Sequence, residues 1–266
     1  MIYRPRPFDP SAPVIVIDVG NTSIRVATWH EDQVKSPLSC PSDDEAAFEE
    51  SYAAQIHDGP ADTPVATVIA SVVPDTLERL QSYLAATQDH DALVIGDGIP
   101  LPLDVDVDDA SAIGADRVCA AAAAYETLQT GCVIVDFGTA VTVDLVNDEG
   151  TLIGGAILPG LAMQLKSLHE YTAALPKVDP AVPELPYGRN TIEAMQTGVC
   201  RGVVGAVRGL IEAYSTHLKH WSHVVATGGD AELLVPYCDF VDTAVHDLAL
   251  RGVGVAYSKY LATMGA

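Results

Sequence analysis

Basic residues are scarce in this chain: 14 Lys+Arg stand against 36 Asp+Glu, a net charge of −22 over 266 residues. Nucleic acids and anionic lipid surfaces both call for a dense cationic patch, so neither is expected as a partner. A small-molecule phosphate site is still open, because backbone N–H groups can replace side-chain cations. Lysine is the rarest charged type, 5 Lys to 9 Arg, while Asp outnumbers Glu by 24 to 12. Such a surface suits a cytoplasm of high ionic strength, where self-repulsion is screened, and equally an ordinary acidic protein.

Clustered cysteine is missing too. Cys40, Cys119, Cys132, Cys200 and Cys238 form no C-x-x-C pair, and an odd, scattered set builds neither a disulfide framework nor a structural zinc site. No run approaches the roughly 18 consecutive apolar residues of a membrane-spanning helix. Near the start the apolar run 14–17 ends at Asp18, short of the about 7–15 residues of a secretory signal. The expectation is a cytoplasmic protein with no membrane partner. Hydrophobic residues make up 48% of the chain, enough for a sizeable core, and the length suits about two domains.

Two stretches echo each other. Residues 13–22 run through a β-branched segment into Asp18-Val-Gly20-Asn21-Thr22, and residues 131–140 do the same into Asp136-Phe-Gly138-Thr139-Ala140. Each is followed by a second strand-like run, 24–29 and 141–146, and the two aspartates lie 118 positions apart. One supersecondary unit repeated at half the chain length points to a duplicated domain, whereas solenoids repeat every 20–50 residues. Further strands are expected at 65–73, 92–95, 152–158 and 224–226, and helices at 75–86, 115–128 and 191–217. Asn190, with Glu193 three residues on, signals the start of the last helix. Residues 176–186 carry four prolines and read as a surface loop.

Three strand ends carry glycine turns: Asp18-Val-Gly-Asn-Thr22, Asp136-Phe-Gly-Thr139 and Thr227-Gly-Gly-Asp230. Glycine after a strand bares several N–H groups, a cradle for phosphate oxygens, and a neighbouring carboxylate can hold a hard cation bridging them. Together they suggest a nucleotide clamped between two related domains. His217, His220 and His223 offer a metal-binding alternative to the plainer role of cations at a helix C-terminus. Gly198, Gly202, Gly205 and Gly209 lie at close-packing spacing in the long helix, which reads as a helix–helix contact, with a homodimer as one place for it.

These turns, with Gly114-Ala115-Asp116-Arg117, Thr142, Asp144 and Gly154-Gly155-Ala-Ile-Leu-Pro159-Gly160, resemble in order the motifs of type III pantothenate kinase. That family belongs to the acetate-kinase/sugar-kinase/Hsp70/actin superfamily. The resemblance implies an α/β fold of two related actin-like (ribonuclease H-like) domains, with mixed sheets flanked by helices, divided here as 1–130 and 131–266. It implies ATP-dependent phosphorylation of pantothenate to 4′-phosphopantothenate, the first step of coenzyme A biosynthesis. Asp18, Gly20, Asn21, Thr22 and Arg25 would bind ATP, joined by Gly138, Thr139, Gly228 and Gly229. Asp18 would also hold Mg²⁺, and Asp136 a monovalent cation, K⁺ or NH₄⁺. Gly114, Ala115, Asp116, Arg117 and Thr191 would contact pantothenate, with Asp116 as the catalytic base.

Arg25 stands where the family carries Lys, and Val107 where it carries a Tyr against the substrate. Two rival readings stay open: a kinase of another small alcohol, and a catalytically weak regulatory relative. Intact Asp18, Asp116 and Asp136 favour catalysis.

If the acidic surface answers to a saline cytoplasm, the melting temperature should rise from 0.1 M to 1 M KCl, as the Debye length falls from about 10 Å to about 3 Å. A flat or falling curve in a thermal melt assigns the acidity to an ordinary surface.

Overall fold

The computed structural model describes residues 12–57, 66–87 and 92–264. Its strands begin with β1 (Val14–Val19), β2 (Ser23–His30), β3 (Gln33–Pro41), β4 (Thr67–Ser71) and β5 (Leu93–Val94). All six residues of β1 are buried, as expected for a central strand covered on both faces. β1 pairs antiparallel with β2 and parallel with β4, and the sheet order is β3-β2-β1-β4-β5. A two-residue strand β6 (Asp104–Val105) follows. Then come β7 (Cys132–Phe137), β8 (Ala140–Val146), β9 (Thr151–Pro159), β10 (His223–Thr227) and β11 (Thr243–Ala244). β7 pairs antiparallel with β8 and parallel with β10, and these five run β9-β8-β7-β10-β11. Order and sense repeat those of the first sheet, so the sequence echo is a structural duplication.

The helices are α1 (Glu45–His57), α2 (Pro74–Thr87), α3 (Ala115–Leu128), α4 (Leu161–Glu170), α5 (Thr191–Leu218), α6 (Ala231–Leu234) and α7 (Leu248–Met264). One face of the first sheet packs Ile15, Ile17 and Ile69 against Phe48 and Tyr52 of α1 and Leu80 and Leu84 of α2. The other packs Val14, Val16 and Val68 against Cys119 of α3 and Leu250, Val253 and Tyr257 of α7. In the second sheet Val133, Val135, Val141 and Val143 meet Leu161 and Leu165 of α4 and Val199, Val203 and Val207 of α5. Asn190 Oδ1 accepts from the Glu193 N–H at 2.9 Å, and Glu193 Oε2 accepts from the Arg189 N–H at 2.8 Å, which closes the start of α5. Such a cap is worth about 0.5–2 kcal/mol.

Several elements lie outside the sequence expectations: β3, α1, α4 and α7. β3 is an edge strand that tolerates Pro37 and Pro41 and shows little alternation, so its pattern does not read as a strand. The expected strand from 65 is shorter, Thr67–Ser71, and Val65 itself lies outside the described residues. The division of the chain also differs from 1–130 and 131–266. One compact unit takes the described residues up to Thr127 together with those from Asp247 on, and the other runs from Leu128 to His246. The reason is α7, whose apolar face is buried against the first sheet.

That docking is close. A Cβ on Gly252 would fall on the Cys119 carbonyl of α3, and one on Gly254 on the indole of Trp29. Backbone cannot step aside as a side-chain tip can, so Gly252→Ala should cost about 1–3 kcal/mol, the usual penalty of overpacking. Chemical denaturation should report it as a lower midpoint, and an unchanged midpoint would mean that α7 is not seated on α3.

Candidate functional site

In the first unit β1 ends at Asp18–Val19 and turns through Gly20-Asn21-Thr22 into β2. The Gly20 N–H donates to the Ser23 carbonyl at 3.0 Å, and Asn21 and Thr22 are exposed. Ser42 holds the turn from outside: its hydroxyl donates to the Asn21 carbonyl at 2.8 Å and its N–H to that of Thr22 at 3.1 Å. Arg79 of α2 donates to the Ser42 carbonyl at 3.3 Å. Neither Ser42 nor Arg79 was foreseen as part of the site. They lie 21 and 58 positions from Asn21, and no local pattern marks them.

Antiparallel register sets Arg25 directly across from Asp18. Arg25 donates from Nε at 3.1 Å and from Nη2 at 2.7 Å, both to Asp18 Oδ2. Oδ1 of the same buried carboxylate has no hydrogen-bond partner. A buried carboxylate oxygen left unpaired is costly. It suits a hard cation or a water bound to one.

Asp116 lies in the first turn of α3, half-buried, where the helix dipole favours a carboxylate. Its Oδ1 accepts from the Arg117 N–H at 2.7 Å. A Cβ on Gly114 would press on that Oδ1 and on Val72, so glycine keeps this approach clear. Burial raises the Cys119 thiol well above its ordinary value, and the charges of Asp18 and Asp116 add to the effect. The two acids, 98 positions apart in sequence, thus both act electrostatically on one thiol. Val107 is half-buried after β6.

In the second unit Asp136 and Gly138 end β7 in the matching turn, with Thr139 exposed at its tip. Gly228, at φ +99°, passes so close that a Cβ there would strike Asp136 Oδ1 and the Phe137 carbonyl, and one on Gly138 would sit 3.1 Å from the same Oδ1. The two glycines keep open a cradle around that oxygen. The Asp230 N–H donates to the Phe137 carbonyl at 2.9 Å, and the Gly160 N–H to the Thr139 carbonyl at 3.1 Å. Both the Gly228–Asp230 turn and the exit of β9 are therefore fastened to the Asp136 turn. A Cβ on Gly229 would meet nothing within 4 Å, and Thr191 is exposed at the first position of α5. Among the described residues no group of three or more His, Cys, Asp or Glu side chains could hold a metal, so His217, His220 and His223 build no such site.

Duplicated sheets, each ending its central strand in an Asp-x-Gly turn, define the actin-like, sugar-kinase class of fold. Two solved structures share the fold. One is a Campylobacter jejuni protein assigned to the Baf family of transcriptional activators: TM-score 0.58, 19% identity, 92% of this chain and 98% of that one. The other is a Sinorhizobium meliloti protein described as a 2-dehydro-3-deoxygalactonokinase: TM-score 0.54, 12% identity, 92% and 97%. The model of the type III pantothenate kinase family matches residues 14–213. Type III pantothenate kinases of Citrifermentans bemidjiense and Geobacter sulfurreducens are each 34% identical over 92% of this chain, covering 99% and 98% of their own lengths. The chain belongs to the type III pantothenate kinase family, a family of ATP-binding kinases.

Asp230 offers a test of this geometry. Burial raises its carboxyl above the ordinary value. A folded-state pKa raised above the unfolded value near 3.9 favours the fold fully below that pH and loses the contribution as pH climbs through the folded value. Asp230→Asn should therefore raise the melting temperature at pH 7 and leave it near wild type at pH 3.5. An equal gain at both pH values would detach the effect from ionisation.

Proposed function

We propose that the chain transfers the γ-phosphoryl group of ATP to the primary hydroxyl of pantothenate, forming 4′-phosphopantothenate for coenzyme A synthesis. The observation that carries this reading is the buried Asp18 carboxylate at the β1 turn, one oxygen held by Arg25 and the other unpartnered. The full-length match to pantothenate kinases supplies the acceptor.

The turn Gly20-Asn21-Thr22 presents its backbone to phosphate oxygens, as Gly138-Thr139 and Gly228-Gly229 do in the second unit. Asp116 accepts the hydroxyl proton while the substrate oxygen bonds to phosphorus and the bond to the leaving ADP oxygen breaks; such a base contributes about 10²–10⁴. Gly114, Ala115, Arg117, Val107 and Thr191 bind the acceptor. Asp18, with its unpartnered oxygen, would hold Mg²⁺, which would supply charge stabilisation to the transferring phosphoryl group. Arg25 fixes the carboxylate by Oδ2, so that Oδ1 keeps one orientation. Asp136, in its glycine-lined cradle, would hold a monovalent cation, K⁺ or NH₄⁺.

The assembly is a homodimer through α5. Gly198, Gly202, Gly205 and Gly209 form an exposed face, with nothing within 4 Å of any of their Cβ positions. Each glycine costs a helix about 1 kcal/mol against alanine. Close approach of a second helix offsets that cost, and the exposed Ile157, Met163 and Ile192 extend the contact. No helix of the described residues is long and apolar enough to cross a membrane. The five cysteines are free and buried, which supports placement in the reducing cytoplasm.

A coupled assay with a panel of small alcohols tests the reading. Pantothenate should be the preferred acceptor, Asp116→Asn should cut turnover by about 10²–10⁴ with ATP binding intact, and replacing K⁺ by a bulky organic cation should abolish activity. Turnover within threefold of wild type removes Asp116 from this role. Another preferred alcohol points to Val107 in place of the family's Tyr, and no acceptor at all favours a regulatory relative.

A further inference from the structure

At the other end of β2 from the Asp18–Arg25 pair, a cleft of about 270 Å³ opens among β2, the C-terminal turns of α3 and α7. It lies roughly 15 Å along α3 from Asp116, at 1.5 Å per residue. None of the motifs assigned to phosphoryl transfer enters it.

Its floor is Trp29, 7% exposed, whose ring lies on the bare backbone of Gly254 and whose Nε1 donates to Ser258 Oγ at 3.3 Å. On one wall Lys259 is already committed, to Glu126 Oε2 at 3.2 Å and to the Pro102 carbonyl at 3.2 Å. Two other charges in the same cleft are not. Arg251 of α7 and Asp32 of the β2–β3 turn both line it. Among the described residues neither forms an ion pair with the other or with any third group. Asp32 is exposed at the tip of that turn, where it and Glu31 sit in the left-handed region at φ +57° and +53°.

Two opposite charges that share a cleft without meeting each other select their ligand. A simple anion gains Arg251 and is repelled by Asp32, and a simple cation suffers the converse. A molecule carrying both charges satisfies both. The volume lies just below that of sites for drug-sized ligands, which sets the scale at a small metabolite. Val255 and the Trp29 ring also line the cleft and offer apolar contact to a side chain, and an ammonium group near indole gains further.

We infer that this cleft binds a small zwitterion of the amino-acid class, its carboxylate on the Arg251 guanidinium and its ammonium on Asp32. A guanidinium takes a carboxylate with two parallel hydrogen bonds, which fixes the orientation.

Calorimetric titration of the full chain with L-alanine, L-serine, L-valine and L-leucine tests this without reference to kinase activity. At least one should bind saturably, and isovalerate and isobutylamine, each carrying one of valine's two charges, should bind at least about tenfold more weakly than L-valine. Arg251→Gln and Asp32→Asn should each weaken the best amino acid by about tenfold while the ligand-free melting temperature stays within two degrees. The inference fails if no amino acid binds below about 10 mM, if isovalerate or isobutylamine binds as well as valine, or if neither variant changes the affinity. The readout is binding alone, so the result stands whether or not the same preparation phosphorylates pantothenate.

Discussion

Arg25 Nη2 lies 2.7 Å from Asp18 Oδ2, and the first unit's chemistry follows from that contact. The pair is cross-strand, so it exists only when β1 and β2 meet in register, and a slip of one residue would send both side chains to the opposite face. Removing one partner of a largely buried pair typically costs about 3–5 kcal/mol, because the other charge is left uncompensated. The guanidinium occupies one oxygen and leaves the other bare. A lysine, a compact point charge, could sit between both oxygens; the planar fork of arginine fixes one edge.

The second unit shapes the surroundings of its carboxylate by another route. Where β2 sets Arg25 opposite Asp18, β8 sets Thr142 opposite Asp136. Glycine takes over the shaping: Gly138 and Gly228 leave room at Asp136, and Gly160 lets β9 end against the turn. Duplication has kept the strand order while the two carboxylates acquired different surroundings. One is clasped by an arginine across the strand pair and one lies in a glycine-lined hollow, and that divergence supports assigning them cations of different kinds.

Much of this was legible in the sequence because it is local. The β-branched runs ahead of Asp18 and Asp136 declare buried strands, and Asn190 with Glu193 declares the start of α5. What stayed hidden depends on long-range contact. Ser42 braces a turn 21 residues away, and the buried Cys119 feels the charges of both Asp18 and Asp116 through the packing of α3. The C-terminal helix gives no sign in its own residues that its partners are Val14, Val16 and Trp29. A boundary placed at 130/131 follows from the repeat, whereas the units follow from burial.

The seating of α7 has a consequence for the order in which the chain matures. Residues 128–246 form a continuous stretch and can fold as soon as they leave the ribosome, as domains generally do during synthesis. The unit translated first cannot finish first. Until α7 emerges, one face of its central sheet, including Val14, Val16 and Val68, is only partly covered, by α3. The earlier-born half therefore waits as a partly open sheet for the last helix to be made, and over that interval it is the part of the chain most in need of protection from aggregation.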